Sequence, residues 1–101
     1  MEVRPGMRLR SAVCATEVVV VRASGADVDL RCGGHPMLPV PGDEPPAGLA
    51  LLDTGGSLMG KRYALEDVGL ELLCTKAGEG SLAVNGALLS VKGAKPLPSS
   101  D

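Results

Sequence analysis

The sequence predicts an all-β fold. Two observations carry that reading: short apolar runs of strand length and pattern, and 14 glycines with 8 prolines in only 101 residues, which demand frequent turns and leave little room for long helices. Glu17-Val18-Val19-Val20-Val21-Arg22 is β-branched and too short for a helix, so it reads as a strand. Ser24-Gly25-Ala26-Asp27 is a turn signal, and Val28-Asp29-Leu30-Arg31-Cys32 alternates as a half-buried strand does. The two are expected to pair as a β-hairpin. Residues 38–62 are a Pro/Gly-rich connection with room for one short strand at 47–52. Gly69 to Lys76 is strand-like, Ala77-Gly78-Glu79-Gly80 is a turn, and Ser81 to Val84 returns. Asn85-Gly86 is a tight-turn pair leading into a strand over Ala87 to Val91. Residues 92–101, with Pro96 and Pro98, are expected to be a mobile tail.

A chain of this length is one small domain, or two very small ones sharing a core. Apolar residues make up 45%, a folding composition, but Tyr63 is the only aromatic, so the core must be built from Val, Leu, Ala, Met and Cys. A net charge of −2 and a single aromatic provide neither the electrostatic footprint nor the stacking platform of a nucleic-acid binder. No apolar run approaches the ~18 residues of a membrane span. The basic opening MEVRPGMRLR has no apolar stretch behind it, so no secretory signal is expected. Three cysteines, an odd number, do not make a disulfide framework, and a cytoplasmic location is expected.

The two apolar segments, 9–37 and 63–89, read as an internal repeat. Glu17 falls on Glu71, Val18-Val19 on Leu72-Leu73 and Arg22-Ala23 on Lys76-Ala77. After a two-residue allowance in the turn, Leu30 falls on Leu82, Gly34 on Gly86 and Met37 on Leu89.

Both copies resemble desulforedoxin and the N-terminal domain of desulfoferrodoxin, whose pattern is Y-x-C-x-x-C-G, a strand, a Gly-rich turn, then L-x-C-C-G-x-x-M. Tyr63, Gly69, Gly78-Glu79-Gly80, Leu82, Gly86 and Leu89 fit that frame in the second copy; Cys14, Leu30, Cys32, Gly34 and Met37 fit it in the first. The resemblance implies a small β fold in which four thiolates hold one iron, and two such modules fused here as a pseudo-dimer. The ligand positions map to Ser11, Cys14, Cys32 and Gly33 in the first copy, so two of the thiolates remain there. In the second they map to Leu65, Val68, Val84 and Asn85, with none. A structural metal contributes ~10–16 kcal/mol, and burying Leu65, Val68 and Val84 at about 1.5–3 kcal/mol each would offset part of its loss. Cys74 lies off the ligand positions and reads as a small buried hydrophobe.

Cys14, Cys32 and His35 form the best chemical constellation. Cys32-Gly33-Gly34-His35 has the C-x-x-H spacing of a metal knuckle, and zinc or iron is the ion such a site would take. Two other readings stay open: small core cysteines, and a Cys14–Cys32 disulfide or redox pair. Asp53-Thr54-Gly55 has the form of an aspartic-protease triplet but lies mid-chain with too little sequence after it; a Gly-rich turn is the simpler reading. Gly55 to Lys61 fits G-x-x-x-x-G-K, yet Arg62 follows where a phosphate loop needs Ser or Thr. Arg4, Arg8 and Arg10 form a small basic patch, and Met7, Met37 and Met59 read as core filler. No nucleophile–base pair stands out. The expected function is a non-catalytic accessory module without a cofactor, acting through an unidentified protein partner, with a homodimer left open. The alternative is a small zinc or iron protein, or an electron-transfer protein, using the partial Cys/His site.

Overall fold

A computed structural model of the chain describes residues 2–25, 27–40, 42 and 48–91. Ten strands fall among them: β1 (Arg8–Arg10), β2 (Glu17–Arg22), β3 (Leu30–Cys32), β4 (His35–Pro36), β5 (Leu38–Pro39), β6 (Arg62–Leu65), β7 (Leu70–Lys76), β8 (Leu82–Val84), β9 (Ala87–Leu88) and β10 (Ser90–Val91). The only helical element among these residues is a 3-10 turn at Glu66–Val68, closed by Gly69 with φ 63°. The fold is all-β. No helix among the described residues is long and apolar enough to cross a membrane. The expected tail, 92–101, lies outside the described residues.

The strands form two antiparallel sheets, one ordered β10-β6-β7-β2-β1-β5 and the other β4-β3-β8-β9. Exchanging β1 to β5 with β6 to β10 turns each order into its own reverse. At the middle of the large sheet Val19 pairs with Leu73, flanked by Val18 with Cys74 and Val20 with Leu72. At the middle of the small sheet Arg31 pairs with Ala83, flanked by Leu30 with Val84 and Cys32 with Leu82. Loop contacts follow the same exchange. Gly6 donates to the Val20 carbonyl and Gly60 to that of Cys74, both at 2.8 Å.

Alternation explains the core. Along β2 it buries Val18 and Val20, along β7 Leu70, Leu72 and Cys74, and from the small sheet Leu30, Cys32, Leu82 and Val84 join the same cluster. Tyr63 is 6% exposed and its hydroxyl accepts the Leu58 N–H at 2.9 Å, so the sole aromatic is buried with its polar atom satisfied.

The strands differ from expectation in three places. The segment 17–22 does not pair with 28–32: β2 lies between β1 and β7, while β3 crosses to the other sheet and pairs with β4 and β8. Alternation specifies a buried face, and both segments have one, but it does not name the partner. The strand expected over 87–91 breaks at Leu89, which is buried and donates its N–H to the Leu82 carbonyl at 3.0 Å. Met37 makes the same break between β4 and β5, its N–H on the Leu30 carbonyl at 3.0 Å. Residues 48–52 form no strand, and Ala47 lies outside the described residues.

Candidate functional site

The cysteine site starts from Ser11. Its N–H donates to the Thr16 carbonyl at 2.9 Å, and its Oγ accepts the N–H groups of Val13 and Cys14, both at 3.1 Å. These bonds close residues 11–16 into a tight turn that carries Cys14 over β3, where Cys32 is fully buried. The two sulfurs lie 3.8 Å apart. Cys14 Sγ is 3.2 Å from Thr16 Oγ1 and accepts the Gly80 N–H at 3.3 Å. Glycines at 78 and 80 are required by this packing. A Cβ on Gly80 would stand 2.8 Å from the Gly33 nitrogen and 2.9 Å from Cys32 Sγ, and one on Gly78 would run into the Thr16 hydroxyl.

The two thiols are held in different states. Burial alone would push the Cys14 thiol up. The hydrogen bonds of the Ser11 side chain, the Thr16 side chain and backbone, and the Gly80 backbone outweigh it and bring Cys14 from 9.0 to about 7. Deeper burial, with the nearby charge of Cys14, pushes Cys32 up to about 11 despite bonds from Ser11 and Thr16. Burial also raises Cys74, whose Sγ sits 3.1 Å from the Lys76 carbonyl.

His35 is not directed at the sulfurs. It faces Cys32 across the β3–β4 hairpin, but its imidazole Nε2 donates to the Ala50 carbonyl at 2.7 Å. The Gly33-Gly34 pair forms the tight turn between them, with φ of 67° and 90°. Among the described residues no group of three or more His, Cys, Asp or Glu side chains is placed to hold a metal ion.

Ala50 belongs to a strap over residues 50–57, whose first residues lie where the strand at 47–52 was expected. Residues 50–57 run across both halves of the chain: Leu52 N–H donates to Gly33 at 2.9 Å, Asp53 accepts from Ser81 N–H at 3.1 Å, and Gly55 N–H reaches Ser81 Oγ at 2.6 Å. Buried Ser57 then pairs with Gly78 through both backbone groups. The Asp53-Thr54-Gly55 triplet is thus part of the strap, with its aspartate exposed. Lys61 is followed by β6 rather than a helix, so the phosphate-loop arrangement is absent there. Arg4 and Arg8 are exposed while Arg10 is half-buried. Met37 is core, but Met59 is 68% exposed.

Beside the strap lies an open groove of about 450 Å³, lined by Arg31, Gly34, Leu52, Ala83, Gly86 and Leu88 among others. Arg31 crosses its floor, held by Asp29 at 3.0 Å and by the Gly34 carbonyl at 3.1 Å. Leu52 and Leu88 stand on it, each 64% exposed. In comparisons with protein-family models, curated proteins and solved structures, no match to the chain was found.

Proposed function

We propose that the chain is a non-catalytic binding module that acts through protein contacts, and that its groove receives an extended apolar segment of a partner. One asymmetry carries the reading. Gly34 and Gly86 hold the same place in the two hairpins of the small sheet, with φ of 90° and 85°. A Cβ on Gly34 would meet Leu52 of the strap at 2.7 Å, whereas one on Gly86 would meet nothing within 4 Å among the described residues. Of these residues, then, a Leu-bearing strap covers one hairpin and none covers the second, beside exposed Leu88. An extended segment with a leucine-like side chain fits that opening as Leu52 fits Gly34.

A peptide copying residues 48–56 is the direct probe. Added to the full chain, it should perturb the amide resonances of Ala83, Gly86 and Leu88, and Leu88→Asp should abolish the effect. Perturbation confined to Gly33 and Gly34, or none, removes the reading.

The fold itself we read as two desulforedoxin-like modules fused in one chain, with the reversed strand order of both sheets as support. A second function, binding of zinc or iron with or without electron transfer, is favoured by one distance. Two sulfurs 3.8 Å apart have the spacing of two ligands on a tetrahedral ion with bonds of about 2.3 Å. Cys14 and Cys32 would hold it, and the committed imidazole of His35 would have to leave Ala50 to join. Metal analysis of chelator-free protein, with thiols counted on the same sample, decides this: no metal and three reactive thiols on denaturation ends it.

A further inference from the structure

We propose that Cys14 and Cys32 are a reversible dithiol–disulfide pair, with Cys14 the point of entry and Cys32 the resolving thiol. The sulfurs are in van der Waals contact at 3.8 Å, so a bond of about 2.05 Å needs a closure of less than 2 Å. Cys14 supplies that movement, because it sits in an irregular turn between β1 and β2 and not in a ladder. Cys32 is fixed in β3 between β4 and β8.

Access divides the roles. Cys14 is half-buried, the more accessible of the two, while Cys32 is 0% exposed with the Cys14 sulfur 3.8 Å away. The Gly80 N–H points at Cys14 Sγ at 3.3 Å, and the Cys14 thiol donates to the Thr16 hydroxyl at 3.2 Å; once the thiol is ionised, that hydroxyl can turn and donate in return, so both groups stabilise negative charge on the attacking sulfur. Cys74 is buried and turned to the Lys76 carbonyl, which makes it an internal control.

With glutathione disulfide as the oxidant the step balances. Cys14 thiolate attacks one sulfur of the reagent, forming a mixed disulfide and releasing one glutathione thiolate, which takes up a proton. Cys32 gives its proton to solvent and attacks Cys14 Sγ, releasing the second glutathione thiolate. Two protein thiols are oxidised by two electrons, and one glutathione disulfide is reduced to two thiols. The new bond would tie the 11–16 turn to the residue preceding Gly33, which holds Leu52 of the strap.

The test equilibrates the full chain in glutathione redox buffers containing a chelator, quenches with acid, alkylates the remaining thiols and reads intact mass. The expected product has lost two thiols, carries no glutathione, maps to Cys14–Cys32 and reverts fully with dithiothreitol. Cys74→Ala should behave identically, and Cys32→Ser should stop at a glutathione adduct on Cys14. A wild type that accumulates the Cys14 adduct, keeps three thiols at every buffer ratio, or pairs Cys74 overturns the proposal. These outcomes are read on the wild type, so poor folding of the Cys32 variant leaves the test intact.

Discussion

The two halves of this molecule enter both sheets in matching strand order, and at the positions our two-module reading pairs they carry different chemistry. Where the first has Ser11, Cys14, Cys32 and Gly33, the second has Leu65, Val68, Val84 and Asn85. Around Cys14 the turn is built from hydrogen bonds: two on Ser11 Oγ and one from Gly80 to sulfur. In the second half Leu65 and Val68 pack against the core and Val84 is fully buried. Asn85 takes the left-handed conformation at φ 51° and its Oδ1 accepts the Asp29 N–H at 2.9 Å. Around Cys14 and Cys32 the local contacts are directional and polar and bear thiols, whereas around Leu65, Val68 and Val84 they are apolar burial.

The strongest way to break this comparison is to give the second half the thiols of the resemblance. The combined variant Leu65→Cys, Val68→Cys, Val84→Cys and Asn85→Cys truncates three aliphatic side chains, at roughly 1–3 kcal/mol each where buried. Without metal it should lose most of the stability of a small domain. Zinc should restore it, since a four-thiolate structural site contributes ~10–16 kcal/mol. Urea midpoints with and without zinc measure both effects. If zinc gives no recovery, the two halves are not equivalent at these positions.

Gly80 sharpens the contrast at a single residue. The corresponding position in the first half is Val28, which carries a buried side chain. Gly80 has none because the Gly33 nitrogen would stand 2.8 Å from its Cβ and Cys32 Sγ 2.9 Å from it. Gly80→Ala should destabilise by about 1–3 kcal/mol, since backbone and a buried sulfur cannot both yield. Pairing it with Cys32→Ala should recover part of that loss, read as the coupling in a double-mutant cycle of denaturant midpoints.

The hairpin glycines isolate the strap. Gly34→Ala and Gly86→Ala impose similar backbone strain, at φ of 90° and 85°. Only Gly34→Ala also collides with Leu52, at 2.7 Å. It should cost about 1 kcal/mol more than Gly86→Ala, and hydrogen exchange should show the excess at Leu52 and Ser81. Equal costs would mean that the strap adds nothing to the hairpin beneath it.

How much of this could be read in advance follows from which interactions are local. β2, β7 and β8 and the Asn85-Gly86 turn are legible because alternation and turn chemistry are written within a few residues. The partner of β3 is not legible, because Leu30 and Cys32 satisfy their burial equally well from either sheet until β8 is in place. The strap is hidden for another reason. Leu49-Ala50-Leu51-Leu52 looks like a strand, but the Ala50 carbonyl goes to His35 and the Leu52 N–H to Gly33, far away in sequence. Cys14 and Cys32 lie 18 residues apart and are expected as neighbours only on the proposed resemblance, while His35 shows the limit of spacing: C-x-x-H here turns a hairpin, and the imidazole holds Ala50.

The smallest expected effect is a pH dependence whose rising limb comes from Cys14 alone, since Val68 at the matching position does not titrate. Cys14 has a folded pKa of about 7 against 9.0 for a free thiol. Between these values the unfolded chain binds more protons, so stability rises with pH; the contribution is complete above about 9 and is lost as pH falls through about 7. Cys32 runs the other way. Its folded pKa of about 11 means that between 9.0 and about 11 the folded chain holds the extra proton, and stability falls as pH rises. Cys74, also raised, adds to the descending limb. Reduced protein should therefore be most stable near the free-thiol value. Cys14 is partly exposed and solvent screens its charge, so the rising limb should amount to no more than about 1 kcal/mol. Urea midpoints across this range, with reductant and chelator present, would measure it. Cys14→Ala should flatten the rise and leave a descending limb, whereas Val68→Ala should lower the whole curve without changing its shape. A rise that survives Cys14→Ala would place the titrating group elsewhere and remove the electrostatic contrast between the two halves.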